Sequence, residues 1–134
     1  RRTATGVNPN RLSLLLAVLE KRAGLHFSNA DVFVNVVGGV RLEEPAADLA
    51  VCMALVSSLR EIPVASSVVA FGEVGLAGEV RGVDMVRQRI GEASKFGFTT
   101  CIIPKSVAPD VEEREIQAVA VGRVTQAIDV ALEG

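Results

Sequence analysis

The sequence predicts a mixed α/β domain, and three observations carry the prediction. Apolar residues recur at helical spacing in several segments, short β-branched or aromatic runs stand between them, and Gly or Pro punctuates nearly every junction. A chain of 134 residues suits one domain. It can bury roughly two-thirds of its unfolded surface, so a core needs no cross-links. The core is expected to be aliphatic, because 49% of residues are hydrophobic while Trp and Tyr are absent.

The elements follow in order. Residues 1–7 are polar with a Gly and read as a linker from an upstream domain, with one domain over 8–134. Asn8-Pro9-Asn10 opens a helix in which Leu12, Leu15, Leu16 and Leu19 share a face, and Gly24 stops it. Residues 31–37 are β-branched and aromatic and predict a strand, broken by Gly38-Gly39; residues 40–42 extend the sheet or form a second short strand. Glu43-Glu44-Pro45 opens a helix from Ala46 to about Leu59. That helix is apolar nearly all round, which predicts burial on most sides. Residues 68–71 predict a strand, and Gly72, Gly75, Gly78 and Gly82 mark a compact strand-turn-strand piece. A third helix is expected over 85–96, with Val86, Ile90 and Ala93 inward. Strands over 100–103 and 116–121 follow, then a helix over 124–132 closed by Gly134.

Composition narrows the function. A net charge of -2 argues against a surface devoted wholly to nucleic acid, but leaves room for a local basic patch. Cys52 and Cys101 sit in apolar runs and read as buried structural thiols of a reduced, cytoplasmic protein. His26 is the only histidine and no Cys-x-x-Cys occurs, so no metal site is expected. No apolar stretch approaches the ~20 residues of a membrane span, and no signal-peptide pattern opens the chain.

Five ordered segments carry a resemblance. They are Asn10-Arg11-Leu12 with the Leu-rich helix behind it, DVFVNVVGG at 31–39, EPAADLA at 44–50, FGEVGLAGEVR at 71–81, and EASKFGF at 92–98. Together they resemble the Lon-type proteolytic domain and, more closely, its form in the RadA (Sms) family of bacterial DNA-repair ATPases. The resemblance spans residues 8–132 and implies the Lon-type fold.

Lon-type peptidases use a Ser–Lys dyad. The serine lies in a Pro-Ser-Ala-Gly stretch at a helix start, and the lysine lies at the start of a later helix. A serine hydroxyl needs a nearby base, and a desolvated lysine can serve. Here the matching stretch is Pro45-Ala46-Ala47-Asp48, and Asp84-Met85-Val86-Arg87 matches the lysine's Gly-Gly-x-Lys. The dyad positions are therefore Ala46, which has no hydroxyl, and Arg87, which stays protonated. Ser57 and Ser58 lie on the order of 15 Å along the helix from Ala46. Ser66 and Ser67 fall in an expected loop with no evident base. Catalytic residues are expected to be absent, and a peptidase with a displaced active site is the alternative.

The resemblance implies a non-catalytic domain that supports ring assembly, as a hexamer, and contacts single-stranded or branched DNA during recombination and branch migration. It implies RecA recombinase as a partner, and ATP, magnesium and zinc in upstream domains rather than here. A Lon-like accessory domain of another ATPase, such as a magnesium-chelatase-like protein, is a further alternative. Arg81, Arg87, Arg89 and Lys95 are the DNA-binding candidates; the competing reading is a solvated face balanced by Glu79, Asp84 and Glu92. Phe96 and Phe98 read as core. Asp48 either serves the helix dipole or pairs with Arg87. Asp31, Glu73 and Glu79 read as strand-end or hairpin carboxylates with structural partners.

Overall fold

The computed structural model describes residues 1–110 and 116–132. The expected closing Gly134 lies outside them. The mixed α/β architecture predicted from sequence is the one observed, in an order close to the prediction.

The chain opens with strand β1 (Arg2–Thr5), helix α1 (Pro9–Ala23) and strand β2 (Val32–Asn35), and β1 pairs with β2 in parallel. The local chemistry of α1 is complete at both ends. The Asn8 side chain accepts from the backbone N–H groups of Asn10 and Arg11, Pro9 sits where an N–H would be unpaired, and Gly24 closes the helix in the left-handed region. A 3-10 turn over Pro45–Ala47 leads into helix α2 (Asp48–Arg60). Then come strand β3 (Val68–Ala70), the hairpin of β4 (Glu73–Val74) and β5 (Val80–Arg81), and helix α3 (Val86–Lys95). Strand β6 (Thr100–Pro104), strand β7 (Gln117–Val121) and helix α4 (Val124–Leu132) complete the order.

A parallel sheet in the order β3-β6-β7 divides the core. Alternation along β6 sends Ile102 to one side, with Leu15, Leu19, Leu49, Val56 and Ile128 from α1, α2 and α4. It sends Cys101 and Ile103 to the other, where Val86, Ile90 and Ala93 of α3 cover them. Both cysteines are fully buried, as expected, and burial pushes each thiol up to about 12.

Two expectations require correction. Residues 1–7 are not a linker here: β1 is paired along its length, Val7 is buried, and Leu42 donates its N–H to the Gly6 carbonyl. Polar composition hid this strand, because three of its four side chains are exposed and its structure comes from backbone pairing. Helix α2 is covered on most sides, as expected, by burial of Leu49, Cys52, Met53, Leu55 and Val56, but a narrow outward stripe is left. Ala50, Ala54 and Leu59 remain exposed and, with Phe33 at 63% exposure, line an open apolar groove of about 610 Å³. Phe96 is not core: it is the C-cap of α3, to the side of the inward stripe, and is 78% exposed. Phe98 does pack on the α3 side of the core.

Gly6 tests the paired status of the first residues. Its φ is +86°, and a Cβ there would stand 2.7 Å from both the Val36 Cβ and the Val40 carbonyl oxygen. Gly6→Ala is expected to lower stability by roughly 2–4 kcal/mol, from left-handed strain plus overpacking. Urea unfolding measures this, and an unchanged midpoint would mean that the segment is not integral to the fold.

Candidate functional site

The region matching a Lon-type active site lies where the Pro45–Ala47 turn enters α2. Ala46 is 5% exposed. Its carbonyl accepts from the Gly72 N–H at 2.9 Å, and the Gly72 carbonyl accepts from the Leu49 N–H at 3.0 Å. These two bonds fasten the start of α2 to the segment before the β4–β5 hairpin. Position 46 therefore carries a methyl group packed against the fold, with no hydroxyl to activate.

Asp48 follows in the first turn of α2 and is 3% exposed. It does sit at a helix N-terminus, where a carboxylate meets the favourable end of the dipole. Its cation is Arg11 of α1, not Arg87. Arg11 Nε donates to Asp48 Oδ1 at 3.0 Å, and Arg11 Nη2 donates to Asp48 Oδ2. The Val74 N–H donates to Asp48 Oδ2 at 3.0 Å, while Arg11 Nη2 also donates to the Val74 carbonyl. The Asp48 carboxylate holds the Arg11 guanidinium above its ordinary pKa. A groove of about 990 Å³ runs beside this pair, between residues 4–11 and residues 39–45.

A second bridge closes the same region. Arg89 of α3 donates through Nη2 to Glu44, two residues before Ala46, and to Asp84 Oδ1 at 3.0 Å. Its Nε donates to the Asp84 carbonyl, and its guanidinium lies 5.9 Å from the Phe71 ring centroid. Arg87 is exposed, one residue beyond the buried Val86. Met85, at the second glycine of the matched Gly-Gly-x-Lys, keeps a left-handed φ of 56°. That is a backbone conformation that glycine favours and a non-glycine residue rarely adopts.

The DNA-binding candidates do not form one uncompensated face. Arg81 pairs with Glu73 at 3.5 Å and with Glu79 at 3.0 Å. Arg89 is held as above, and Lys95 pairs with Glu92 at 3.5 Å. Glu73 and Glu79 have the structural partner expected of them. Among the described residues, no group of three His, Cys, Asp or Glu side chains is placed to hold a metal. Sequence reasoning missed Arg11. It lies 37 residues from Asp48 and reads there only as a charge at a helix end. The available signal was that a carboxylate amid apolar residues requires a cation.

Residues 16–133 match the family described as Lon protease (S16) C-terminal proteolytic domain, and the chain belongs to that family. Its fold is accordingly of the Lon proteolytic-domain type. Within the family the chain is similar to the DNA repair protein RadA of Escherichia coli (strain K12), at 48% identity over 130 residues, which is 97% of this chain and 28% of that protein. It is 49% identical over 130 residues to the DNA repair protein RadA of Aquifex aeolicus (strain VF5), covering 97% of this chain and 29% of that protein. It is 45% identical over 135 residues to that of Bacillus subtilis (strain 168), covering 100% and 30%. The chain thus spans less than a third of the length of these relatives.

The Arg11–Asp48 pair yields an ordered expectation. Arg11→Ala leaves a buried carboxylate with only the Val74 N–H, and is expected to cost roughly 2–4 kcal/mol, discounted because Arg11 is partly exposed. Asp48→Ala costs less, since Arg11 can turn to water. Chemical denaturation of both single variants and the double variant measures the coupling; additive losses would mean that the pair does not act as a unit.

Proposed function

We infer that this chain is a non-catalytic Lon-type domain serving a RadA-type DNA-repair ATPase. In this reading it supports assembly of a ring, as a hexamer, and contacts single-stranded or branched DNA without sequence preference. The observation that carries the loss of catalysis is the pair of residues at the dyad positions. Ala46 offers a methyl where a nucleophile is needed, and Arg87 a guanidinium that no physiological pH deprotonates.

The assembly role draws support from the apolar surface left open along β2 and α2, where Phe33 and Leu59 are exposed. A ring needs two different complementary surfaces on each copy. The DNA role draws support from the relatives, which are DNA repair proteins. In the same reading, ATP hydrolysis with magnesium, zinc binding and the encounter with RecA recombinase belong to the whole protein. Its setting is the cytoplasm; no helix among the described residues is long and apolar enough to cross a membrane.

Two measurements on this chain test the reading. A fluorophosphonate probe is expected to leave every serine unlabelled, and stable labelling of Ser57, Ser58, Ser66 or Ser67 would instead support a displaced peptidase site. Light scattering, with and without DNA, is expected to give a mass several times the 14.1 kDa of one copy. A monomer under all conditions would remove the assembly role from this domain.

A further inference from the structure

We propose that the tip of the β4–β5 hairpin is a DNA-junction contact, with Leu76 as an apolar wedge at an unstacked base step and Arg22 and Arg123 as phosphate clamps. This deepens the DNA-contacting role and rests on it. It assigns that contact to residues other than Arg81, Arg87, Arg89 and Lys95.

The hairpin turns over Gly75-Leu76-Ala77-Gly78. Leu76 is 68% exposed although Val74 and Gly75 before it are buried, and with the small, exposed Ala77 after it the tip projects a single large apolar side chain into solvent. The tip is braced from behind. The Val80 N–H donates to the Gly122 carbonyl, and the Val124 N–H donates to the Gly78 carbonyl at 2.8 Å. These bonds dock the hairpin against the start of α4.

Docking brings cations from distant parts of the chain to the tip. Arg123 Nη2 donates to the Ala77 carbonyl at 2.6 Å. A Cβ on Gly78 would stand 3.1 Å from the Arg22 Cβ and 3.6 Å from Arg123 Nη2, so both side chains lie against the turn. Lys105 approaches Gly122 on the same side, with its Cδ 3.9 Å from where a Cβ would stand. No ion pair among the described residues engages Arg22, Arg123 or Lys105. The nearby carboxylates Glu73 and Glu79 share Arg81, which leaves a surplus of positive charge at the tip.

An exposed apolar residue flanked by cations without carboxylate partners matches one chemistry. Phosphates on either side neutralise the arginines, and the leucine enters where bases are already unstacked. Apolar side chains of this kind wedge into base steps, at a cost smallest where pairing is already broken. The contact is sequence-independent in this arrangement, because the arginines are assigned to phosphates and the leucine meets bases through apolar area alone. Gln126 already accepts from the N–H groups of Gly122 and Arg123, so side chains rather than the α4 N-terminus would hold the phosphates.

Fluorescence anisotropy of this chain with a forked DNA and with the matching full duplex, over a salt series, tests the proposal. A 2-aminopurine at the fork reports unstacking. The wild type is expected to prefer the fork and to raise the 2-aminopurine signal. Arg22→Ala with Arg123→Ala is expected to weaken fork binding on the order of tenfold at low salt and to reduce the salt slope by about 2. Leu76→Ser is expected to weaken fork binding more than duplex binding and to abolish the signal rise. Arg60→Ala, at the opposite end of α2, is expected to change neither. Wild-type binding that these hairpin variants retain, but that Arg87→Ala loses, would overturn the hairpin assignment while sparing the DNA role. Equal losses in Arg60→Ala and the double variant would overturn it in favour of total charge. Dissociation of an assembly by Leu76→Ser would overturn it in favour of a protein contact. A wild type that binds neither DNA would remove the DNA role itself.

Discussion

Three elements meet on the Asp48 carboxylate: α1 through Arg11, α2 which carries it, and the hairpin through the Val74 N–H. A carboxylate taken out of water is costly unless close donors replace the lost hydration. Here both oxygens are used, and the guanidinium that supplies one side also bonds the Val74 carbonyl. A shift of α1 or of the hairpin would strand a buried charge. The pair therefore fixes how these elements dock more than it adds net stability. That constraint, together with the backbone bonds of the hairpin to Gly122 and Val124, sets the position of Leu76 and the meeting of Arg22 with Arg123.

The same constraint bears on the proposed loss of catalysis. A lysine base works only if its surroundings favour the neutral amine. Position 46 has Glu44 two residues before it and Asp48 two residues after it. Each carboxylate is engaged by an arginine that ties another helix to this turn, Arg89 from α3 and Arg11 from α1. In the proposed reading, the place where a dyad would stand has become a pair of ionic ties. Restoring a serine alone would leave the expected base position occupied by Arg87, whose guanidinium cannot accept the hydroxyl proton.

Much of this fold was legible in the sequence because period and burial agree. The leucines of α1 fall on one stripe and are buried, and alternation in β6 splits its side chains between two clusters. The exceptions have physical reasons. β1 carries almost no apolar signal, since its pairing is made by backbone groups with no sequence signature. Apolarity all round α2 could not reveal that Ala50 and Ala54 face outward, because alanine is tolerated on either side. Of the candidate site, motif matching proposes Ala46 and Arg87 as the dyad positions. The partner of Asp48 could not be found that way, because the sequence ranks every arginine equally until tertiary contacts choose among them.

The basic residues make the same point about surfaces. Arg81, Arg89 and Lys95 stand close together in sequence, but so do Glu79, Asp84 and Glu92. Opposite charges within a turn of each other pair locally, and each pair formed removes a cation from the surface potential available to a distant anion. Arg22 and Arg123 lie far apart in sequence. They meet because α1 and α4 both pack against the hairpin, and among the described residues neither forms an ion pair, the Glu79 carboxylate of the same turn being held by Arg81 and the Ala77 N–H. A cluster that is mixed in sequence neutralises itself. A cluster assembled by the fold from separate elements keeps its charge, and that difference makes the hairpin tip, rather than α3, the better place for a phosphate.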